Sequence, residues 1–391
     1  RSGEQRRRHE AEQERLGDQI SRLERRLAAE SYGTPHWVDV RWMLAALEIT
    51  ESGRYGDLSL PRQDGLIPLG VDRKSGLHEF AVEGTGALPG RDPTTGALEV
   101  PDDSAVVLVL VPGGTFRMGA QRREARDPGF DPEAQDDESP VRSVTISSPF
   151  FLAKYETTES QWASMVQRVE RTGALDLGGV LPGLDRRRLP QRDVSWARTS
   201  SVLSQFELEL PTEAQWEYAC RAGTETPWFT GDDADRRLFA AANVIGSDHG
   251  LEAIPVGTLK PNRFGLYDMH GNAAEWCIDT YKPYSAGSST DPVLKKPGTS
   301  RVIRGGSSLG TARRARSSAR RREDETESSR AVGLRIARPI RRAQDEPPTR
   351  GPGPGLDATA AGWIEARWAR AIDEITKSPF YNGLQIGGVP D

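Results

Sequence analysis

Apolar and polar positions alternate along the chain in several distinct textures. Residues 1–30 are highly charged, and Leu16, Ile20, Leu23 and Leu27 follow one another at spacings of four, three and four. That is the a/d rhythm of about two coiled-coil heptads. It predicts either a single helix lying on a neighbouring domain or a coil through which the chain self-associates, since two heptads alone are marginal. Residues 36–50 (HWVDVRWMLAALEIT) carry a second amphipathic pattern, so 1–50 forms a helical N-terminal segment. Residues 51–104 are rich in Gly, Pro and Asp and predict an extended or β-rich connector. From 105 the texture changes: Ala105–Val111 (AVVLVLV) predicts a buried strand, Pro112-Gly113-Gly114 a turn, and Thr115–Gly119 a second strand, together a hairpin.

A polar loop is expected over 120–143 and a strand over 144–155, after which Thr157 or Thr158 caps a helix running through Gln161–Val169. The clearest helix start is Thr212 with Gln215 three residues on, a capping box, and that helix continues to Ala222 with Gly223 as its stop. From 224 to 340 short strands alternate with long Gly/Ser/Asp loops, which argues α+β rather than βαβ. Residues 341–355 (RRAQDEPPTRGPGPG) have a linker's composition. Residues 356–391 form a C-terminal appendage, with a helix over 357–377 capped by Asp357 and Ile364, Trp368, Ile372 and Ile375 on one face. No internal repeat is present.

Composition narrows the function classes. The chain is 36% hydrophobic, ample for a core, yet its longest apolar run is Ala105–Val111, well short of the about 20 residues that span a membrane. Basic and acidic residues number 52 and 57, net −5, so nucleic acid is not an expected partner. Two cysteines in 391 residues build neither a disulfide scaffold nor a Cys-based zinc cluster. The chain begins with Arg, as a processed or partial product does, and a signal peptide already removed would leave no trace. A cytosolic location is favoured over export, and both stay open.

Eight strings then occur in order: Val111-Pro112-Gly113-Gly114-Thr115-Phe116 with Met118-Gly119; Asp137-Glu138-Ser139-Pro140-Val141; Lys154-Tyr155-Glu156-Thr157-Thr158; Val194-Ser195-Trp196; Leu210–Gly223 (LPTEAQWEYACRAG); Phe264–Trp276 (FGLYDMHGNAAEW); Arg304-Gly305-Gly306-Ser307; and Gly333-Leu334-Arg335. On these strings the stretch 105–340 resembles the formylglycine-generating enzyme (sulfatase-modifying factor) family. The resemblance implies a C-type-lectin-like α+β fold: a small twisted sheet core, two helices, and much irregular backbone often pinned by calcium. Independently, so much loop per strand needs its buried backbone satisfied by something other than ladders, and oxygen-ligated cations are one solution. The positions matching the family's first calcium site are Asp268, Gly271, Ala273 and Glu275; those matching a second are Asn243, Val244 and Asp248, with Gly250 as a further candidate. The alternative is that these side chains cap turns without metal.

The family's oxidase converts a substrate cysteine to formylglycine with oxygen, using two cysteines just after R-G-G-S as soft ligands for copper(I). The matching positions here are Gly310 and Ala315, and residues 278–391 contain no cysteine; no copper is expected. The family's substrate-groove Trp is Ala274, and the Arg closing that segment matches Arg320. Cys220 and Cys277 are expected as buried thiols, a disulfide between them being the alternative. His9, His36, His78, His249 and His270 show no i, i+4 ligand pair and no H-x-x-x-H-x-E pattern, so His270 is expected to pack or hydrogen-bond. Neither Gly113-Gly114 nor Gly305-Gly306 leads into the Lys-Ser/Thr of a phosphate loop, and no kinase H-R-D or D-F-G is present.

What remains is a run of arginines, Arg313, Arg314, Arg316, Arg320, Arg321 and Arg322, followed by Glu323, Asp324, Glu325 and Glu327. It is either a solvated surface neutralised by its own acids or a charged surface for a partner, since guanidinium forks suit carboxylates and phosphates. The expectation is a non-catalytic ligand- or protein-binding module in a bacterial signalling or interaction system. It would bind a protein or peptide through the 304–322 surface, at Ser307, Ser308, Arg313, Arg314, Arg316 and Arg320. The alternatives are an oxygen-dependent enzyme acting on a protein cysteine, a structural assembly subunit, and a variable ligand-binding protein of a diversity-generating retroelement.

Overall fold

The computed structural model describes residues 36–92, 94–171, 183–296 and 298–341. The heptads of 1–30, the linker from 342 to 355 and the helix expected over 357–377 lie outside the described residues. The order of elements is α1 (His36–Glu51), β1 (Leu66–Val71), β2 (His78–Val82), β3 (Gly90–Arg91), β4 (Leu98–Glu99), β5 (Val107–Val111), β6 (Gly114–Met118), β7 (Arg142–Ile146), β8 (Phe150–Ala153), α2 (Glu159–Arg171), α3 (Trp196–Ser204) and α4 (Glu213–Arg221). Then follow α5 (Arg236–Phe239), β9 (Ala242–Asn243), β10 (His270–Gly271), β11 (Ala274–Thr280), β12 (Ser289–Thr290), β13 (Ser300–Arg304), β14 (Arg320–Asp324), β15 (Val332–Gly333) and β16 (Ala337–Arg338). The mixture is α+β, with helices few and loops long.

An antiparallel five-stranded sheet, β1-β2-β5-β8-β16, carries the main core. Its central strand β5 is the apolar run VLVLV, buried at every position, because a strand covered on both faces has no side to leave polar. A second sheet runs β14-β13-β11-β15, its last pair parallel, and a third runs β12-β7-β6.

Two expectations change. The 105–119 hairpin does not form: β5 has both edges occupied, by β2 and β8, so β6 leaves that sheet and pairs with β7 instead. Residues 51–104 do more than connect. They supply β1 and β2 to the main sheet, and Tyr55, Leu60, Leu66, Leu77, Phe80 and Val82 belong to its core. Trp42 of α1 stacks on Phe80 at 5.2 Å, and Phe80 meets Phe151 edge-on at 5.1 Å. Apolar residues scattered among Gly and Pro hide this strand pair from a composition-based reading.

The helix starts follow their caps. Gln161 N donates to Thr158 Oγ1 at 3.2 Å while Thr158 N donates to Gln161 Oε1 at 3.0 Å. Thr212 and Gln215 exchange the same pair of bonds, each 3.0 Å. The helix this second pair starts, α4, is tied to β11, where site residues lie, by Glu213 N donating to Asp279 Oδ2 at 2.7 Å and Trp216 Nε1 to Glu275 Oε2 at 2.6 Å. At its far end Ala222 takes the left-handed turn itself (φ 44°), one residue before Gly223.

Candidate functional site

The Arg304–Ser307 string is the exit of β13. Gly306 has φ 69°, and a Cβ there would come within 2.9 Å of the Arg314 carbonyl and the Ala315 Cα. The bare backbone therefore lets residues 307–319 fold back onto the turn. That return decides which side chains face out. Ser308 is buried, its N–H donating to Asn272 O (3.0 Å) and its hydroxyl to Leu251 O (3.0 Å), and Ser307 is buried beside it.

Two arginines of the run, Arg316 and Arg320, are also turned inward, as is Arg304 before it. Arg304 is buried against the Trp216 ring (5.3 Å), ion-paired with Glu217 and donating to Ala319 O at 2.5 Å. Arg316 is 1% exposed; its guanidinium grips Glu138 at 2.6 and 2.8 Å and Asp131 at 2.5 Å. Arg320 donates twice to Glu213, at 2.7 and 2.8 Å, between the Tyr281 and Tyr284 rings at 4.5 and 4.1 Å. Burial alone would disfavour the charged form, but the Glu138 and Asp131 carboxylates around Arg316 and the Glu213 carboxylate beside Arg320 outweigh it and raise both guanidiniums above their ordinary value.

Of the six residues expected on a ligand surface, Ser307, Ser308, Arg316 and Arg320 are thus internal, and only Arg313 and Arg314 are exposed. Arg313 meets Glu133 at 2.9 Å, and Arg314 has no ion pair among the described residues. The acids that neutralise the buried arginines come from the 131–138 loop and α4. The sequence neighbours contribute little, Arg321–Glu323 at 3.5 Å being one such contact. Besides Arg313 and Arg314, the 304–322 return exposes one large apolar side chain, Leu309 at 45%, and the neighbouring segments expose Ile245 (44%) and Leu251 (55%). Backbone bonds hold the three segments together, Ile245 N donating to Gly310 O at 2.9 Å.

The positions matched to calcium differ in how fully their side chains are engaged. Glu275 has both oxygens engaged, with Arg335 Nε and Nη2 at 2.7 to 3.0 Å and Trp216 Nε1 at 2.6 Å. Asp268 is buried at φ 58°; its Oδ2 accepts from Gly257 N at 2.7 Å, and its Oδ1 has no partner. A third carboxylate, Glu156 of the Lys154–Thr158 string, was not among the sequence candidates. It is buried and accepts from Asn272 Nδ2 (2.5 Å) and Ala273 N (2.7 Å). Its sequence signal is its place in the Lys154–Thr158 string, three residues after the last residue of β8.

Burial, with Asp268 and Glu275 nearby, pushes Glu156 well above the carboxylate range, and burial pushes Asp268 up to about 6. Three carboxylates thus share one guanidinium, Arg335. The orphaned Asp268 oxygen, in a cluster whose carboxyl groups outnumber their one guanidinium, fits a hard cation beside Gly271 and Ala273. No three His, Cys, Asp or Glu among the described residues are grouped to hold a metal, so backbone carbonyls would supply most ligands. The second set fits less well. Asn243 is engaged by Ser247, Glu252 and Asn272, the Val244 carbonyl accepts from Ser247 N at 3.0 Å, and Asp248 lies exposed.

Both cysteines are free and buried. Cys220 Sγ lies 3.8 and 3.9 Å from the two His270 ring nitrogens. His270 Nδ1 donates to Ala315 O at 2.6 Å while Nε2 accepts from Phe229 N at 3.1 Å, which makes the ring the neutral Nδ1–H tautomer. Burial lowers that imidazole to about 4 and raises the Cys220 thiol to about 12; Cys277 is pushed well above its ordinary value by the same cause. This is the reverse of an ion-paired, nucleophilic Cys–His couple.

Comparison with known proteins places these features. The family described as the sulfatase-modifying factor enzyme 1-like domain matches residues 97–340. The chain is 30% identical over 266 residues to the formylglycine-generating enzyme of Thermomonospora curvata, covering 54% of this chain and 84% of that one. It is 31% identical over 226 residues to the serine/threonine-protein kinase pkn1 of Chlamydia caviae; this match takes in 51% of the chain and 32% of the kinase's length. Among solved structures, PvdO from Pseudomonas aeruginosa superposes with a TM-score of 0.51 at 25% identity, over 65% of this chain and 99% of that one.

Proposed function

The chain belongs to the sulfatase-modifying factor enzyme 1-like family, with its formylglycine-generating-enzyme-like, C-type-lectin-like fold, and we propose that it serves there as a non-catalytic module binding a peptide segment of another protein. One observation carries the reading. The positions after Arg304–Ser307 where the family's resemblance places copper-binding thiolates are Gly310 and Ala315, and the two thiols the chain has are buried and held protonated. Soft copper(I) needs ionised sulfur within reach.

The binding face is the exposed part of the same turn. Leu309, Ile245 and Leu251 offer an apolar anchor, and Arg313 and Arg314 beside it favour a peptide pairing an apolar with an acidic residue. A cation at Asp268, with the carbonyls of Gly271 and Ala273, would stiffen the loop that Ser308 docks on. The match to one third of a chlamydial kinase supports a place in bacterial signalling, the module being attached to other domains.

The test pairs two assays on the purified chain. Peptides selected from a random display library on the wild-type protein should bind at least about tenfold more weakly to Leu309→Asp and to Arg313→Ala/Arg314→Ala. Incubation with copper(I) and a cysteine-containing peptide should consume no oxygen above the protein-free rate. Turnover of oxygen with about one copper per chain would overturn the reading, and peptide affinity unchanged in both variants would remove this face from it.

A further inference from the structure

A second concavity lies away from the Arg304–Ser307 turn, between the turn that follows β2 and the C-terminal half of α2. It is an open groove of about 460 Å³ lined by Gly84, Gly86, Ser164, Gln167, Arg168 and Arg171. Helix α2 divides its faces cleanly. Trp162, Met165, Val166 and Val169 go into the core, and the groove residues Ser164, Gln167, Arg168 and Arg171 recur at the spacings that share one helical face.

Among the described residues the lining is rich in donors and holds no carboxylate. Arg304, Arg316, Arg320 and Arg335 each meet an acid, whereas neither Arg168 nor Arg171 has an ion pair among the described residues. The Gln167 amide and the backbone N–H groups of Gly84 and Gly86 also find no acceptor there. Ser164 is not part of this donor set, since its hydroxyl donates to Ser160 O at 3.0 Å.

Arg168 lies over the turn that follows β2. Gly84 has φ 77°, and a Cβ there would collide with Arg168 Nη1, so the guanidinium lies directly against the bare backbone of the turn. It also lies over the Phe206 ring, 5.7 Å from the ring centroid. Arg171 follows one turn on, near the negative end of the helix, which keeps a cation favourable at that place.

We propose that this groove is a binding site for a small phosphate monoester. Two planar guanidinium forks with the Gln167 amide beside them match an oxyanion that accepts on three oxygens. A carboxylate, with two oxygens, would leave part of this set without acceptors. The volume is that of a small-molecule site rather than of a bare ion, leaving room for the organic part of the ester. The groove shares no residue with the peptide-binding face, so either assignment can fail without the other.

Calorimetric titration of the whole chain with glucose 6-phosphate and with inorganic phosphate, against sodium chloride at matched ionic strength, tests it. Saturable binding of the ester is expected, with no heat from chloride beyond dilution. Arg168→Gln/Arg171→Gln should weaken binding at least about tenfold, and Arg168→Lys/Arg171→Lys should fall between. Arg171→Gln alone, at an exposed position, should also weaken binding while leaving the melting temperature unchanged, so that loss of affinity is not confused with misfolding. The proposal is overturned if the ester does not bind, if the glutamine variants bind it as well as wild type, or if citrate binds more tightly than the ester.

Discussion

Arg316 offers the sharpest separation between a ligand contact and a structural ion. Its guanidinium is 1% exposed and neutralises Glu138 and Asp131, themselves buried, through bonds of 2.5 to 2.8 Å; its Nε donates to Arg313 O at 2.9 Å. Arg316→Ala strands two carboxylates away from water without a counter-charge. Breaking one side of a buried ion pair costs about 3–5 kcal/mol. In a domain of this size each kcal/mol moves the melting temperature by roughly 2–4 °C, so a fall of about 6–20 °C is expected.

Urea denaturation at pH 7, read by tryptophan fluorescence, gives the free energy directly. Two comparisons make the reasoning specific. Arg314→Ala, two residues away but exposed and without an ion pair among the described residues, should change stability by less than about 0.5 kcal/mol. Arg316→Met/Glu138→Gln should be less destabilised than the sum of its single changes, because the second substitution removes one of the stranded charges. An Arg316→Ala cost below about 1 kcal/mol, or an equal cost for Arg314→Ala, would refute the argument.

Three further outcomes are expected. Asp279 accepts Glu213 N and Leu294 N, yet burial and the Glu213 charge raise it to about 6. A folded pKa above the unfolded one favours the native state below pH 4 and loses that contribution as pH rises to about 6. Wild type minus Asp279→Asn in unfolding free energy should therefore fall by about 2–3 kcal/mol across that window; parallel curves from pH 4 to 7 would contradict this. Cys220 and Cys277, buried and protonated, should not react with DTNB in the native protein and should both react in guanidinium chloride; a fast-reacting native thiol would count against their placement. Calcium at about 100 times its dissociation constant should stabilise the chain by about 2.7 kcal/mol, reversed by EDTA and absent in Asp268→Asn; a calcium response that survives this substitution would exclude Asp268 as the ligand.

Features that depend on neighbours in sequence are legible in the chain itself. The capping boxes at Thr158 and Thr212 are completed within three residues, so the string that encodes them also contains their partners. The apolar run Val107–Val111 could satisfy itself only as a strand covered on both faces. The ordered strings from Val111 to Arg335 located the family and with it the α+β fold. The positions of Gly310 and Ala315 needed nothing more than counting from Arg304.

Tertiary structure alone decided which charge meets which. Arg316 finds Glu138 and Asp131 at separations of 178 and 185 residues, and Arg335 finds Glu275 across 60. A run of arginines shows its sign in the sequence, but whether it faces water depends on acids delivered by distant loops. The same holds for strand partners: β6 follows β5 directly, yet occupied edges send it to another sheet, and the scattered apolar residues of 51–104 become core once α1 and β5 lie beside them. Caps and apolar runs are short-range constraints written into consecutive residues. Neutralisation, edge pairing and burial depend on which surfaces meet in space, and that is settled only when the whole chain packs.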